Sequence, residues 1–193
     1  MVNKYWYDCC NIRLSEVYEL KKLFYQSIIK SDKGNFMKIA IYPGSFDPIT
    51  KGHLDILKNA ASIFDKVIIA VAHNGAKRGF LTVEERVNLI KQSLGDMKNV
   101  EVDAFEGLTI EYAKKRGAEV LIRGLRAVSD FEFEMQLSQT NSALCDDIKT
   151  VFLTTKPKYN FISSTTIREI LDNNGDISKF VPEPVYEYLK NKG

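Results

Sequence analysis

Lys66-Val-Ile-Ile-Ala-Val-Ala72 decides the fold. Successive side chains of a strand point to opposite sides, so a run that is apolar at every position after its first is covered on both faces. That is the condition of a parallel sheet sandwiched between helices. Upstream, Lys38-Ile-Ala-Ile-Tyr42 is a second short apolar run. Between the two, Leu54, Ile56, Leu57, Ala60, Ala61 and Phe64 recur at helical spacing within Gly52 to Phe64. Downstream, Thr82-Val-Glu-Glu85 is a capping box, which predicts a helix running to about Leu94. The alternation continues: a strand over 100–105, a helix over 108–116 stopped by Gly117, and a strand over 119–122. A helix over 130–144, a strand over 150–153 and helices from Ser164 and Pro184 complete it. The pattern predicts an α/β protein, a Rossmann-like doubly wound parallel sheet in a single domain with helices on both faces.

The charge is unevenly laid out around this domain. Of 27 basic and 25 acidic residues, six basic and four acidic ones fall in residues 1–36, so the whole formal +2 belongs there and the rest is neutral. The only tryptophan, Trp6, and two of the three cysteines, Cys9 and Cys10, lie there too. Residues 1–36 are therefore expected to be an N-terminal extension, with the domain spanning 37–193. Within the extension, Ile12, Val17, Leu20, Leu23, Phe24 and Ile28 predict an amphipathic helix that stops at Asp32-Lys-Gly34-Asn. Asp8, Glu16 and Glu19 speak against a mitochondrial-type presequence, and no secretory or membrane-spanning stretch is present.

Composition excludes several function classes. An apolar fraction of 45% with 27% charged residues is that of a globular protein. A neutral body lacks the basic excess of a nucleic-acid surface. Three cysteines form no disulfide framework, which fits a reducing cytoplasm, and two histidines provide no zinc spacing.

Ligands of doubly wound sheets bind beyond the carboxyl ends of the strands, where strand order reverses. Three segments there carry anion-directed chemistry. Tyr42-Pro-Gly-Ser-Phe-Asp-Pro-Ile-Thr-Lys-Gly-His-Leu54 follows the first strand. Gly44 and Gly52 allow close backbone approach, Ser45 and His53 add donors, and His53 lies at a helix N-terminus suited to phosphate. The same loop also reads as a plain turn with a capping histidine, in which Asp47 makes a local Asx turn. Ile122-Arg-Gly-Leu-Arg-Ala-Val-Ser-Asp130 puts Arg123 and Arg126 at a strand end, either as bidentate phosphate ligands or as ion-pair partners of Asp130, Glu132 or Glu134. Phe161-Ile-Ser-Ser-Thr-Thr-Ile-Arg168 places four hydroxyl residues at a helix start, where one suffices as a cap. Together the three imply a nucleotide or phosphorylated substrate.

These motifs carry a resemblance. Gly44-Ser-Phe-Asp-Pro48 with Thr50-Lys-Gly-His53, and Ile162-Ser-Ser-Thr-Thr-Ile-Arg168, resemble the nucleotidyltransferase superfamily that bears a T/HxGH element. Leu121-Ile-Arg-Gly-Leu-Arg-Ala-Val-Ser-Asp-Phe-Glu-Phe-Glu-Met-Gln136 closely resembles the bacterial phosphopantetheine adenylyltransferase family. The resemblance spans Met37 to about Lys192.

It implies transfer of the adenylyl group of ATP to 4′-phosphopantetheine, giving 3′-dephospho-CoA and pyrophosphate, with Mg²⁺. This is the penultimate step of coenzyme A synthesis. The implied catalytic residues are His53, Lys77 and Ser45, stabilising charge on the reacting phosphorus. Ser45, Lys77, Thr109 and Arg123 would hold phosphopantetheine. Ser45, Phe46, His53, Gly124, Leu125, Arg126 and Glu134 would hold ATP. So would the run Tyr159, Asn160, Phe161, Ile162, Ser163, Ser164 and Thr165. The resemblance further implies a homohexamer and feedback binding of CoA, with no nucleic-acid or membrane partner. The chain departs from the family pattern at Asn74-Gly-Ala-Lys-Arg-Gly-Phe80, where Lys77 and Arg78 compete for one role, at Phe133 and at Thr109. Adenylylation of nicotinate mononucleotide, cytidylylation of glycerol 3-phosphate and a non-catalytic nucleotide-binding regulator are the alternatives. The 121–136 stretch and the intact Ser45, His53 and Arg126 speak against them.

Overall fold

The structure, a computed structural model, describes residues 38–73, 75 and 79–192. The helix expected within residues 12–30 lies outside them, as do Lys77 and Arg78. Five strands, β1 (Ile39–Gly44), β2 (Lys66–His73), β3 (Val100–Glu106), β4 (Val120–Leu125) and β5 (Lys149–Thr154), form one sheet in the order β3-β2-β1-β4-β5. All four pairings are parallel. Six α-helices are described: α1 (Lys51–Ala61), α2 (Val83–Ser93), α3 (Thr109–Lys115), α4 (Val128–Leu144), α5 (Ser164–Asp172) and α6 (Glu183–Lys192).

The β2 run behaves as its composition requires. Val67, Ile69 and Val71 enter one core together with Ala40, Tyr42 and Ile122. They pack there with Leu54 and Leu57 of α1, Leu89 and Ile90 of α2, Ile167 of α5 and Val185 of α6. Ile68 and Ala70 point the other way, with Ile41 and Leu121, onto Ile110, Tyr112 and Ala113 of α3 and onto Cys145 and Ile148. Burying one such aliphatic side chain is worth roughly 1.5–3 kcal/mol, so a one-residue slip of β2 has no favourable alternative register.

Strand order reverses between β1 and β4. The chain winds outward through β2 and β3, then returns to the far side of β1 for β4 and β5. The β1–β4 ladder is short, pairing only Ala40 with Val120 and Ile41 with Leu121. Beyond Ile41 the ladder stops, and this is where a crevice opens.

Local signals explain most element ends. Thr82 and Glu85 form the expected capping box on α2, and Gly117 stops α3 with φ +63°, a conformation that a side chain resists. Some elements differ from expectation. β4 runs on through Leu125, so Arg123 and Gly124 are strand residues. α4 begins at Val128, two residues early. Pro157–Tyr159 forms a 3₁₀ turn, favoured by the fixed φ of Pro157 at its first position.

Candidate active site

A cavity of about 460 Å³ opens at the β1–β4 switch point, within the usual size range for small-ligand sites. Its walls are the loop after β1 (Gly44, Ser45, Phe46), the start of α1 (Thr50, Gly52, His53) and the end of β4 (Arg123, Gly124). Arg126, α4 (Asp130, Phe133, Glu134), Thr155 and the start of α5 (Ile162, Ser163, Ser164) complete them. The three segments singled out in the sequence converge on this one space.

The loop after β1 is held by residues distant in sequence. Phe46 takes φ +47° and is buried, and its ring covers Gly44, where a Cβ would stand 2.8 Å from the ring. Asp47 makes no local Asx turn. Its carboxylate instead accepts from the backbone N–H groups of Phe80 and Leu81, both at 2.8 Å, and pairs with Arg86 at 3.4 Å. Arg86 also donates to the carbonyl of Leu81 at 2.6 and 2.9 Å and to that of Ser45 at 3.3 Å. The buried Asp47–Arg86 pair thus ties the loop to the segment before α2. Its residues were visible in the sequence, but no spacing announced the pairing.

His53 is fixed by the cap of α1. Thr50 accepts from the His53 backbone N–H at 3.3 Å, and the Thr50 backbone N–H donates to His53 Nδ1 at 3.1 Å. Nδ1 therefore acts as an acceptor, which assigns the proton of the neutral ring to Nε2. Burial, and then the nearby Arg126 guanidinium, push the His53 pKa down to about 4. At neutral pH the ring is an uncharged Nε2–H donor lining the cavity. The helix start is less open than expected: Lys51 N–H donates to Phe180 O at 2.9 Å. Of the first three N–H groups only that of Gly52 has no partner among the described residues.

Both arginines are oriented by carboxylates of α4. Arg123 makes a two-pronged contact with Glu134, one prong at 2.7 Å. Arg126 grips Asp130 at 3.0 and 3.1 Å and donates to Ile162 O at 3.1 Å. Desolvation opposes the charge on Asp130, but hydrogen bonds from the Arg126 side chain and backbone outweigh it and hold the carboxyl below its ordinary range. A guanidinium carries five N–H donors, so each keeps donors to spare for an anion. Ion pairing and anion binding are compatible here: the carboxylates aim the forks.

At the start of α5, Ser163 caps Thr166 N–H at 2.9 Å, and its hydroxyl meets that of Thr166 at 2.8 Å. Ser164 donates to Pro48 O at 2.8 Å, and Thr165 accepts from Arg168 at 3.1 Å. Each of the four hydroxyls has a protein partner, but the Thr165 hydroxyl only accepts, so its O–H and the backbone N–H groups of Ser164 and Thr165 have no acceptor among the described residues. Leu125, Thr165 and the run Tyr159, Asn160 and Phe161 border the cavity walls in sequence without lining it. Thr109 sits beyond β3, two strands from β1, and does not line it either. Sequence reading passed over Tyr42, Thr155 and Phe133 as lining residues.

A parallel sheet with an anion-directed cavity at its switch point defines an α/β protein built to bind a nucleotide or phosphorylated ligand. The comparisons agree: a family model described as cytidylyltransferase-like matches residues 41–170. Phosphopantetheine adenylyltransferase of Lachnoclostridium phytofermentans is 51% identical over 156 residues, covering 81% of this chain and 96% of that protein. The enzyme of the same name from Alkaliphilus metalliredigens is 50% identical over 156 residues, covering 81% and 99%. A crystal structure of a Vibrio parahaemolyticus protein assigned as a nicotinate-nucleotide adenylyltransferase shares the fold, with a TM-score of 0.60 at 22% identity over 80% of this chain and 99% of that one. The chain belongs to the phosphopantetheine adenylyltransferase family, within the cytidylyltransferase-like class.

Proposed function

We propose that this chain transfers the adenylyl group of ATP to 4′-phosphopantetheine, releasing pyrophosphate and forming 3′-dephospho-CoA. Identity of about half over nearly the full length of relatives bearing that name supports the substrates. The observation that carries the chemistry is the neutral His53, its Nε2–H facing a cavity that also holds Arg123 and Arg126. The attacking group is a phosphate, already an anion, so no strong base is required. Catalysis is positioning plus stabilisation of charge on the five-coordinate phosphorus. His53 donates to its oxygens, Ser45 and Lys77 assist, Arg126 with the N–H group of Ser164 holds the ATP phosphates, and Arg123 holds the acceptor phosphate. The test is pyrophosphate release with ATP and phosphopantetheine, against nicotinate mononucleotide with ATP and glycerol 3-phosphate with CTP. Turnover only with the latter pairs overturns the reading.

Among the described residues no three His, Cys, Asp or Glu side chains cluster as a metal site, and the cavity carboxylates Asp130 and Glu134 are committed to arginines. The described residues therefore offer no all-protein cage for Mg²⁺. We propose that Mg²⁺ arrives on the phosphates of ATP, as this ion is commonly held. CoA, sharing the product scaffold, is proposed to compete for the same cavity.

A homohexamer is likewise proposed. No described side chain of α4 is fully buried, and Phe131, Phe133 and Leu144 are exposed around it, apolar surface that further copies of the chain would cover. Light scattering at six times the 22.0 kDa chain mass is the expected result, and a monomer overturns it. A cytoplasmic setting is proposed from the cysteine usage; among the described residues no helix is long and apolar enough to cross a membrane.

A further inference from the structure

Tyr42 occupies the place where the β1–β4 ladder gives out. It is the residue after Ile41, the last β1 member paired with β4, and its side chain is 5% exposed. The ring packs edge-on against Phe46, with centroids 5.3 Å apart at 77°. The phenol oxygen lies 3.3 Å from where a Cβ on Gly124 would stand, so the absence of a side chain at Gly124 leaves the hydroxyl room. Tyr42 also lines the cavity.

The hydroxyl has no hydrogen-bond partner among the described residues. Yet among the described residues no fully enclosed side-chain oxygen or nitrogen lacks one, so this oxygen is not sealed in the core. It opens onto the cavity. Buried tyrosine hydroxyls are normally paired, and the body of this residue is as buried as the core around it. An apolar ring held on both sides with its polar tip left to the cavity is a preorganised donor.

The charged groups that face it identify what it would meet. Arg123, Arg126 and Glu134 line the same cavity as Tyr42, the two arginines favouring a negative charge there and Glu134 opposing it. Glu134 is spent on Arg123, so the free donors around the hydroxyl call for an anionic oxygen. Burial raises the phenol well above its ordinary pKa, which keeps the proton on the oxygen.

We infer that Tyr42 is a further ligand-binding residue of this site, whose hydroxyl donates to a phosphate oxygen held between Arg123 and Arg126. The inference rests on the proposed adenylyl transfer for its substrates. Tyr42→Phe removes the hydroxyl and keeps the ring against Phe46. Loss of a hydrogen bond to a charged group corresponds to roughly a 10- to 100-fold effect. The expected result is a fall of that size in kcat/KM, larger for one substrate than for the other, with an unchanged melting temperature. A merely structural role would move both substrates alike and lower the melting temperature. Values within twofold of wild type for both substrates overturn the inference and leave the proposed reaction standing. Should the wild-type protein turn over neither substrate, the reading of function fails first, and thermal shift by inorganic tripolyphosphate decides about Tyr42. A wild-type shift that Tyr42→Phe reduces supports the inference; equal shifts, or none, overturn it.

Discussion

Thr50 and His53 close a reciprocal cap at the start of α1. The Thr50 hydroxyl accepts from the His53 backbone N–H, and the Thr50 backbone N–H donates to His53 Nδ1 at 3.1 Å. One hydrogen-bond pair thereby starts the helix and sets which ring nitrogen carries the proton. The capping and the catalytic readings of His53 are therefore one arrangement: the cap consumes Nδ1 and leaves Nε2–H for the cavity.

It follows that His53 should be seen as the Nε2–H tautomer. Long-range ¹H–¹⁵N spectra should show a protonated Nε2 and a bare Nδ1 across pH 5.5–8. With only His73 besides, a His73→Asn sample makes the assignment. His53→Ala should retain the far-UV spectrum and lose kcat by about 10²–10³, the cost of one oxyanion-type donor. An unchanged kcat would remove His53 from the reaction.

The depressed His53 pKa has a signed consequence for stability. Its folded value of about 4 lies below the ordinary 6.5, so the unfolded chain takes up the proton first as pH falls. The stability is fully present above pH 6.5 and is lost progressively between 6.5 and about 4. Glu85 acts lower. Hydrogen bonds from Lys192, then Tyr188, hold it at about 2 against an ordinary 4.5, so its contribution is lost only below about 4.5. Urea midpoints measured from pH 7 to 4.5 should therefore decline in wild type and decline less in His53→Gln. Parallel curves would contradict the assignment.

Asp47 and Arg86 predict a large stability effect away from any ligand. Asp47→Ala leaves Arg86 and the N–H groups of Phe80 and Leu81 without their shared acceptor in a buried setting. Breaking a buried ion pair from one side typically costs about 3–5 kcal/mol. Urea unfolding should show a loss of that order, whereas Lys149→Ala, removing an exposed pair with Asp146, should cost less than about 1 kcal/mol. Similar losses in the two variants would mean that the Asp47 network is not the tie described.

The contrast between His53 and Asp47 shows what a sequence discloses. Strand and helix periods, the Thr82–Glu85 cap and the Gly117 stop are local, and each was readable. Convergence of the Ser45, Arg123 and Ser163 segments followed from one rule about parallel sheets. The Asp47 tie is not legible in the sequence because its partners stand 33 and 34 residues away, where no periodicity reaches. Tyr42 was passed over because it reads as the last apolar residue of a strand. The early end of the β1–β4 ladder, which opens the crevice beside it, is a tertiary feature that no local pattern shows. The hydroxyls at the start of α5 have types that suit phosphate, and the structure shows partners within the protein that no local pattern announces.

Residues 1–36 hold the charge surplus and lie outside the described residues. An alignment of 156 residues already covers 96–99% of the relatives' lengths while leaving about a fifth of this chain unmatched. The three cavity segments all lie between residues 42 and 168. A chain beginning at Met37 should therefore keep kcat and both KM values within about twofold, because each group proposed to touch the phosphates remains, and uniform binding and transition-state terms are then unchanged. The measurement is steady-state pyrophosphate release beside light scattering on both chain lengths. A drop in kcat with unchanged mass would mean that the extension reaches the cavity. A drop accompanied by dissociation would mean that it supports the assembly instead.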